Sequence, residues 1–357
     1  MKPLDFDFRR GIQAFCLLLT VLCSSGAMAA ETSGRLDIYF IDVEGGAATL
    51  IVTPAGESVL IDSGYPDFGG RDRDRILHTV RDVAGLKQID HAVVSHWHLD
   101  HYGNHAALST EIPIKNFWDR GIPDALQEDP KFVDRVALYR AASQNGSKTL
   151  AAGDKLPLKQ AGRTPLEVEV LTASREVIPS RGEANPHAKD QTAKPEDTSD
   201  NAASITLLLK FGSFRFLCCG DLTWNIQSKL VTPRNSVGKV DLFMVTHHGL
   251  PTSNNPALVL AIDPVVAVMC NGPTKGGHPE TIATLRKVKS LEHLYQLHRN
   301  VKLDAAGQTP AEFIANTGET EGCEGVMVKA SVSQDGGSYT LQIGKEGRPR
   351  IYETRKH

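Results

Sequence analysis

The sequence predicts an α/β fold, and three observations carry that prediction. Residues 89–95 read as a buried strand that leads straight into His96-Trp97-His98-Leu99-Asp100-His101, where a helix opens. Residues 36–43, 48–53 and 58–64 read as strands separated by Gly-containing turns, the pattern of an antiparallel meander. Residues 73–83 carry Ile76, Val80 and Val83 at helical spacing and join the third strand to the fourth as a β-α-β crossover. Ligand-type side chains therefore gather at the C-terminal end of a strand, where α/β sheets place their chemistry.

Imidazole and carboxylate are the side chains that zinc and neighbouring divalent metals choose. In His96-x-His98-x-Asp100-His101, the two leading histidines can point one way and Asp100 with His101 the other, so one loop can serve two adjacent ions. Two metals at roughly 3.5–4 Å hold and ionise a water between them. The run resembles the signature of the metallo-β-lactamase superfamily, whose members are mostly hydrolytic. That resemblance implies a four-layer αββα sandwich and a binuclear metal centre. It also implies that Asp62, in the Asp62-Ser63-Gly64 turn, holds the ligand loop by hydrogen bonds rather than touching metal. His105 reads as a helix residue beside the site, not a ligand.

The first 29 residues read as an export signal. Arg9 and Arg10 flank a short apolar core at 14–22, and Ala27-Met28-Ala29 offers a cleavage site. The expectation is a periplasmic or secreted protein of residues 30–357, with no membrane segment in the mature form. Without Lys2, Asp5, Asp7, Arg9 and Arg10 the formal charge moves from −3 to −4. A mildly acidic chain lacks the basic stripe of a long-nucleic-acid binder, which favours a small substrate. Four cysteines stay in the mature chain, Cys218, Cys219, Cys270 and Cys323. Cys218 and Cys219 adjoin on a strand and face opposite ways, so one can be core while the other pairs with Cys270 or Cys323; the spacing leaves the pairing open.

Residues 114–120 read as a strand, 131–143 as a helix, and 156–158 and 166–171 as short strands. Trp118 and Arg120 are candidates for the cleft or the surface. Residues 179–200 hold almost nothing to bury and read as a long mobile loop returning just before a strand.

The second half of the site follows. Residues 204–210 and 213–219 form a hairpin that ends in Gly220-Asp221, and residues 240–246 form a strand that ends in His247-His248-Gly249. The resemblance makes Asp221 the bridging ligand. It assigns His96 and His98 to the first ion, and Asp100, His101 and His248 to the second. His248 is the favoured ligand and His247 the substrate-facing acid or donor, with the reverse assignment open. Asp100, His247 and His278 are the residues expected to take part in catalysis, His278 as an anion contact or, equally, as a plain helix-start histidine. There is one departure. Many superfamily members supply a further histidine where Asn201 stands, so Asn201 supports the site and the first ion is left more open, with manganese an alternative to zinc.

The string Asn201-x-x-Ser204, Cys219-Gly220-Asp221, His247-His248-Gly249, Ser253-Asn254, Asn271-Gly272 and Gly277-His278-Pro279 is similar to the hydrolase domain of ComEC-type competence proteins. Phosphorylcholine esterases of bacterial cell walls share much of it. The similarity implies phosphodiester hydrolysis by two divalent ions, with lactone or β-lactam opening as the alternative and a metal-binding protein without turnover as the second. Residues 325–333 and 338–343 alternate around Asp335-Gly336-Gly337, the pattern of a C-terminal hairpin that extends a sheet edge.

Overall fold

The computed structural model describes residues 34–318 and 322–356. The export signal read over residues 1–29 lies outside the described residues. Two mixed sheets face each other across one core, and helices cover both outer faces, the four-layer αββα arrangement. The first sheet begins with β1 (Leu36–Phe40), β2 (Thr49–Val52), β3 (Ser58–Ile61), β4 (Ile89–Val93), β5 (Ile114–Asp119) and β6 (Lys148–Thr149). The second holds β7 (Leu166–Ala173), β8 (Glu176–Val177), β9 (Thr206–Phe211), β10 (Phe214–Cys218), β11 (Leu242–Met244), β12 (Val266–Met269), β13 (His293–His298) and β14 (Ile314–Asn316). The chain then returns to the first sheet with β15 (Val328–Val332), β16 (Ser338–Ile343) and β17 (Arg350–Glu353). β15 pairs antiparallel with β1, so the C-terminal hairpin extends that edge and β17 carries it one strand further.

Period-two alternation explains the layers. Ile38 and Phe40 of β1 face the second sheet, while Tyr39 and Ile41 face outward. The outer face of the first sheet packs on α1 (Arg71–His78), α3 (His105–Glu111) and α4 (Phe132–Ala142), with the short α2 (Leu99–Tyr102) between them. The other outer face packs on α5 (Trp224–Val231), α6 (Pro256–Ile262) and α7 (Pro279–Leu285). The crossover helix expected over 73–83 is α1, continued as a π-turn at Thr79–Val83. Among the described residues no helix is long and apolar enough to cross a membrane.

Cys218 sits in the core between the sheets and Cys219 under the outer helices, so the two do face opposite ways. All four cysteines are free thiols, which corrects the expectation that one bridges to Cys270 or Cys323. The buried three serve as small apolar core residues, and burial pushes the Cys218 and Cys219 thiols up to about 12. Trp118 belongs to the inter-sheet core rather than to the cleft or the surface. Segment 179–200 is tied down by polar groups. Asn185 donates to the carbonyls of Val231 and Ala257, Lys194 donates to that of Pro251, and the Trp224 indole donates to that of Thr192. Such anchors leave no trace in an apolar-content reading.

Candidate metal centre

Parallel strands build the site. β3 and β4 run parallel, as do β10, β11 and β12, so their C-terminal ends share one edge of the sandwich. Asp62 follows β3, the His96–His101 run follows β4, Asp221 follows β10, and His247 with His248 follow β11. At these ends the chain must turn sharply. Asp62, His247 and His248 all adopt left-handed φ angles of 62°, 55° and 52°. Two consecutive non-glycine residues in that region are costly, and such strain concentrates at functional sites. The Asn254 side chain braces the turn, accepting from the Thr246 amide at 3.1 Å and donating to the Thr246 carbonyl at 2.9 Å.

Four ligand-type side chains converge. Asp100, His101, Asp221 and His248 each offer an atom within 4.8 Å of the others, and all four are buried. Neighbouring pairs lie at 3.2 Å (His101 Nε2 to Asp221 Oδ2), 3.3 Å (His248 Nε2 to Asp100 Oδ2), 3.4 Å (His101 Nε2 to Asp100 Oδ2) and 3.5 Å (His248 Nε2 to Asp221 Oδ2). Ligand bonds of 2.0–2.2 Å around a tetrahedral ion separate neighbouring donors by about 3.4 Å. The Nε2 atoms of His96, His101 and His248 are buried without a hydrogen-bond partner, an arrangement that is costly unless something binds them. The residues therefore fit a divalent ion.

The far ring nitrogens are fixed. Asp62 accepts from the Ser95 amide at 2.8 Å and the Ser95 hydroxyl at 2.7 Å, and its Oδ2 lies 2.8 Å from His101 Nδ1. His248 Nδ1 is held 2.9 Å from the Cys270 carbonyl, which turns its Nε2 toward the cluster. Burial opposes charge throughout the centre. It drives His96 well below the usual imidazole range, with His101 adding to the effect. At His101 the carboxylates of Asp221, Asp100 and Asp62 outweigh burial and raise it. Burial brings His247 to about 4, a neutral ring at neutral pH.

The structure leaves His247 outside the quartet, with its Nε2 3.3 Å from Asp221 Oδ2 and its Nδ1 3.1 Å from the hydroxyls of Ser253 and Thr252. His96 Nε2 lies 4.0 Å from Asp221 Oδ2. His98 is half-exposed and places Nε2 3.3 Å from Glu128 Oε1. Asn201 is buried with its Oδ1 unpartnered. His278 is exposed and starts α7, its Nδ1 accepting from the Glu280 amide as a helix cap. His105 is buried, with Nδ1 2.7 Å from the Ser63 hydroxyl.

Three functional neighbours escaped the sequence reading. Glu128 also accepts from the Asp200 amide, while Asp200 accepts from the Trp97 amide and pairs with Arg120, so loop 199–201 is clamped to the ligand loop. Arg120, proposed for the cleft or the surface, is a nearly buried member of that clamp. Lys275 Nζ lies 2.5 Å from Asp100 Oδ2. Partners of a ligating histidine's second nitrogen shift metal affinity about 10–100-fold. Glu128→Ala should weaken zinc binding by that factor in a chelator-competition titration; an unchanged affinity would show that the contact is incidental.

A second group, Asp42, Glu44, His298 and Cys323, also gathers ligand atoms. Arg75 pairs with both carboxylates at 2.9 and 3.0 Å, Arg71 with Glu44 at 2.9 Å, and Asp42 also takes His298 Nε2 at 2.8 Å. Its acids are already neutralised by fixed cations, which makes it an ion-pair network joining β1 to β13.

Residues 41–186 are similar to the family described as the metallo-β-lactamase superfamily. The match spans Asp62 and His96–His101 and ends before Asp221 and His248. Among curated proteins none matches. Solved structures with a similar chain path include CmlA, a diiron β-hydroxylase from Streptomyces venezuelae, at 15% identity and TM-score 0.40 over 72% of this chain and 48% of that one. MEM-A1, a subclass B3 metallo-β-lactamase from a soil metagenome library, is 17% identical at TM-score 0.33 over 72% of this chain and 75% of that one. A HARLDQ-motif mutant of the Cronobacter sakazakii metallo-β-lactamase is 12% identical at TM-score 0.33 over 63% and 79%. The chain spans about half the length of CmlA.

Proposed function

We propose that this chain is an exported hydrolase of small phosphodiesters working with two divalent ions, zinc or manganese. The observation that carries the metal-dependent part is the buried quartet Asp100, His101, Asp221 and His248 with its unpartnered histidine nitrogens. The phosphodiester part is supported by the strand-end motif string similar to ComEC-type hydrolase domains, and by a first site that lacks a third histidine at Asn201. The acidic balance of the chain favours a nucleotide or a cell-wall phosphodiester over a long nucleic acid. The leader at residues 1–29 supports export.

Asp100, His101 and His248 would hold one ion, His96 and His98 the other, and Asp221 would join them. Divalent ions in such a site ionise water near neutral pH and polarise a phosphoryl oxygen. The chain's own part is orientation and exclusion of water. Asp62 and the Cys270 carbonyl lock the ligand rings, and the strained turn at His247 keeps that ring against Asp221 with its Nδ1 held by two hydroxyls. The hydroxyls of Ser253 and Thr252 serve either tautomer of His247, so this neutral ring is placed to donate a hydrogen bond to a leaving oxygen.

The test is hydrolysis of bis-p-nitrophenyl phosphate by the mature protein loaded with zinc or manganese. Metal-dependent turnover is the expected result. Absence of turnover with both ions would overturn the phosphodiester reading and direct the search to lactones and β-lactams.

A further inference from the structure

We infer that Lys275 is the anion-recognition residue of this centre, its ammonium receiving a charged phosphoryl oxygen of the substrate; the inference rests on the phosphodiester reading above. Lys275 lies in the turn after β12, outside every motif the sequence singles out. Its ammonium is 2.5 Å from Asp100 Oδ2 and 3.3 Å from the Tyr65 hydroxyl.

The backbone carrying this lysine is fixed against the ligand turn. The Gly272 amide donates to the Lys275 carbonyl at 2.9 Å, the Gly277 amide to the His248 carbonyl at 2.9 Å, and the Asn300 amide group to the Gly276 carbonyl at 2.8 Å. Gly276 has φ +81°, and a Cβ there would collide with the His248 carbonyl, so the close approach requires glycine. The ammonium is thus delivered to the cluster by rigid chain. The Lys275 side chain is 33% exposed, against 11% for Asp100, which places its charge at the solvent-facing rim of a buried centre.

Charge balance says what it awaits. Without ions, Lys275 compensates Asp100. With divalent ions bound, Asp100 would ligate one of them and would no longer need Lys275, which would leave the ammonium as a positive charge at the rim of the centre. A phosphodiester monoanion would meet that charge, and a neutral ester or lactone would not. Lysine suits the role, being a compact point charge on a flexible arm that can swing from Asp100 to substrate while Tyr65 limits its travel.

The experiment compares wild type, Lys275→Ala and Lys275→Arg, each full length and metal-loaded. Three quantities are read: metal content, calorimetric affinity for inorganic phosphate, and kcat and KM for bis-p-nitrophenyl phosphate. A hydrogen bond to a charged partner predicts that Lys275→Ala loses phosphate affinity and gains KM by about 10–100-fold, with metal content unchanged and partial recovery in Lys275→Arg. Equal phosphate affinity in wild type and Lys275→Ala would overturn the inference. So would loss of metal in Lys275→Ala, which would make the residue a tether for Asp100. Wild type that binds phosphate through Lys275 without hydrolysing the diester would overturn the phosphodiester reading alone.

Discussion

Zinc at a thousand times its dissociation constant should stabilise the folded protein by about 4 kcal/mol, and Asp221→Ala should erase that gain. The carboxylate of Asp221 lies 3.2–3.5 Å from the Nε2 atoms of His101, His247 and His248, and 4.0 Å from that of His96. Among the described residues no other carboxylate lies within 4.0 Å of all four rings. Removing it takes one ligand from the assembled quartet and breaks the link to His96. Binding to the native state alone raises stability in proportion to the logarithm of free ion over dissociation constant.

The comparison must be made within each protein, with and without ion. Asp221→Ala also uncovers buried imidazoles, so its apo stability shifts for reasons unrelated to metal. Thermal or urea unfolding with zinc and with chelator isolates the binding contribution, which should move the midpoint by several degrees in wild type. An equal zinc-dependent gain in Asp221→Ala would show that the ion sits elsewhere, and the Asp42, Glu44, His298 and Cys323 network would be the next place to look.

Much of this centre was legible in the sequence because its residues lie at strand ends. A strand's C-terminal end can be found from where apolar alternation stops, and Asp62, His96, Asp221 and His248 each follow such a stop within a few residues. The four layers were not legible from periodicity alone. Buried strands such as Ile89–Val93 have both faces covered, so their sequence does not say on which side a helix or the other sheet lies. Lys275 and Glu128 were invisible for another reason. Each reaches the site from a turn or loop whose path is set by distant chain, as Gly276 against His248 shows. His278 was open in the sequence because a histidine before proline at a strand-to-helix junction reads alike as an anion contact and as a helix cap; its Nδ1 does cap α7.

Trp97 shows how a residue inside a ligand motif can act entirely through packing, and Trp97→Ala should destabilise the protein by about 3–5 kcal/mol. It stands between His96 and His98 but packs away from the ligands, in the layer of helices on the outer face of the first sheet. There it is fully buried, meets Tyr139 edge-on at 5.1 Å, Tyr102 at 5.4 Å and Phe132 at 6.0 Å, and donates its indole N–H to the Gly121 carbonyl at 2.8 Å. Its own amide donates to Asp200 at 2.6 Å, which closes the clamp through Glu128 to His98. Truncation leaves a cavity beneath the ligand loop and frees the rings on either side, so zinc affinity should fall together with stability. Trp97→Phe keeps most of the volume and loses the indole bond, at a cost of about 1–3 kcal/mol for the carbonyl left unpaired. Urea unfolding of the zinc-free proteins gives the stability term, and zinc titration below the unfolding transition gives the affinity term. If stability drops in Trp97→Ala while zinc affinity holds, the ligand loop is positioned by Asp62 and Ser95 alone, and the tryptophan is no more than core.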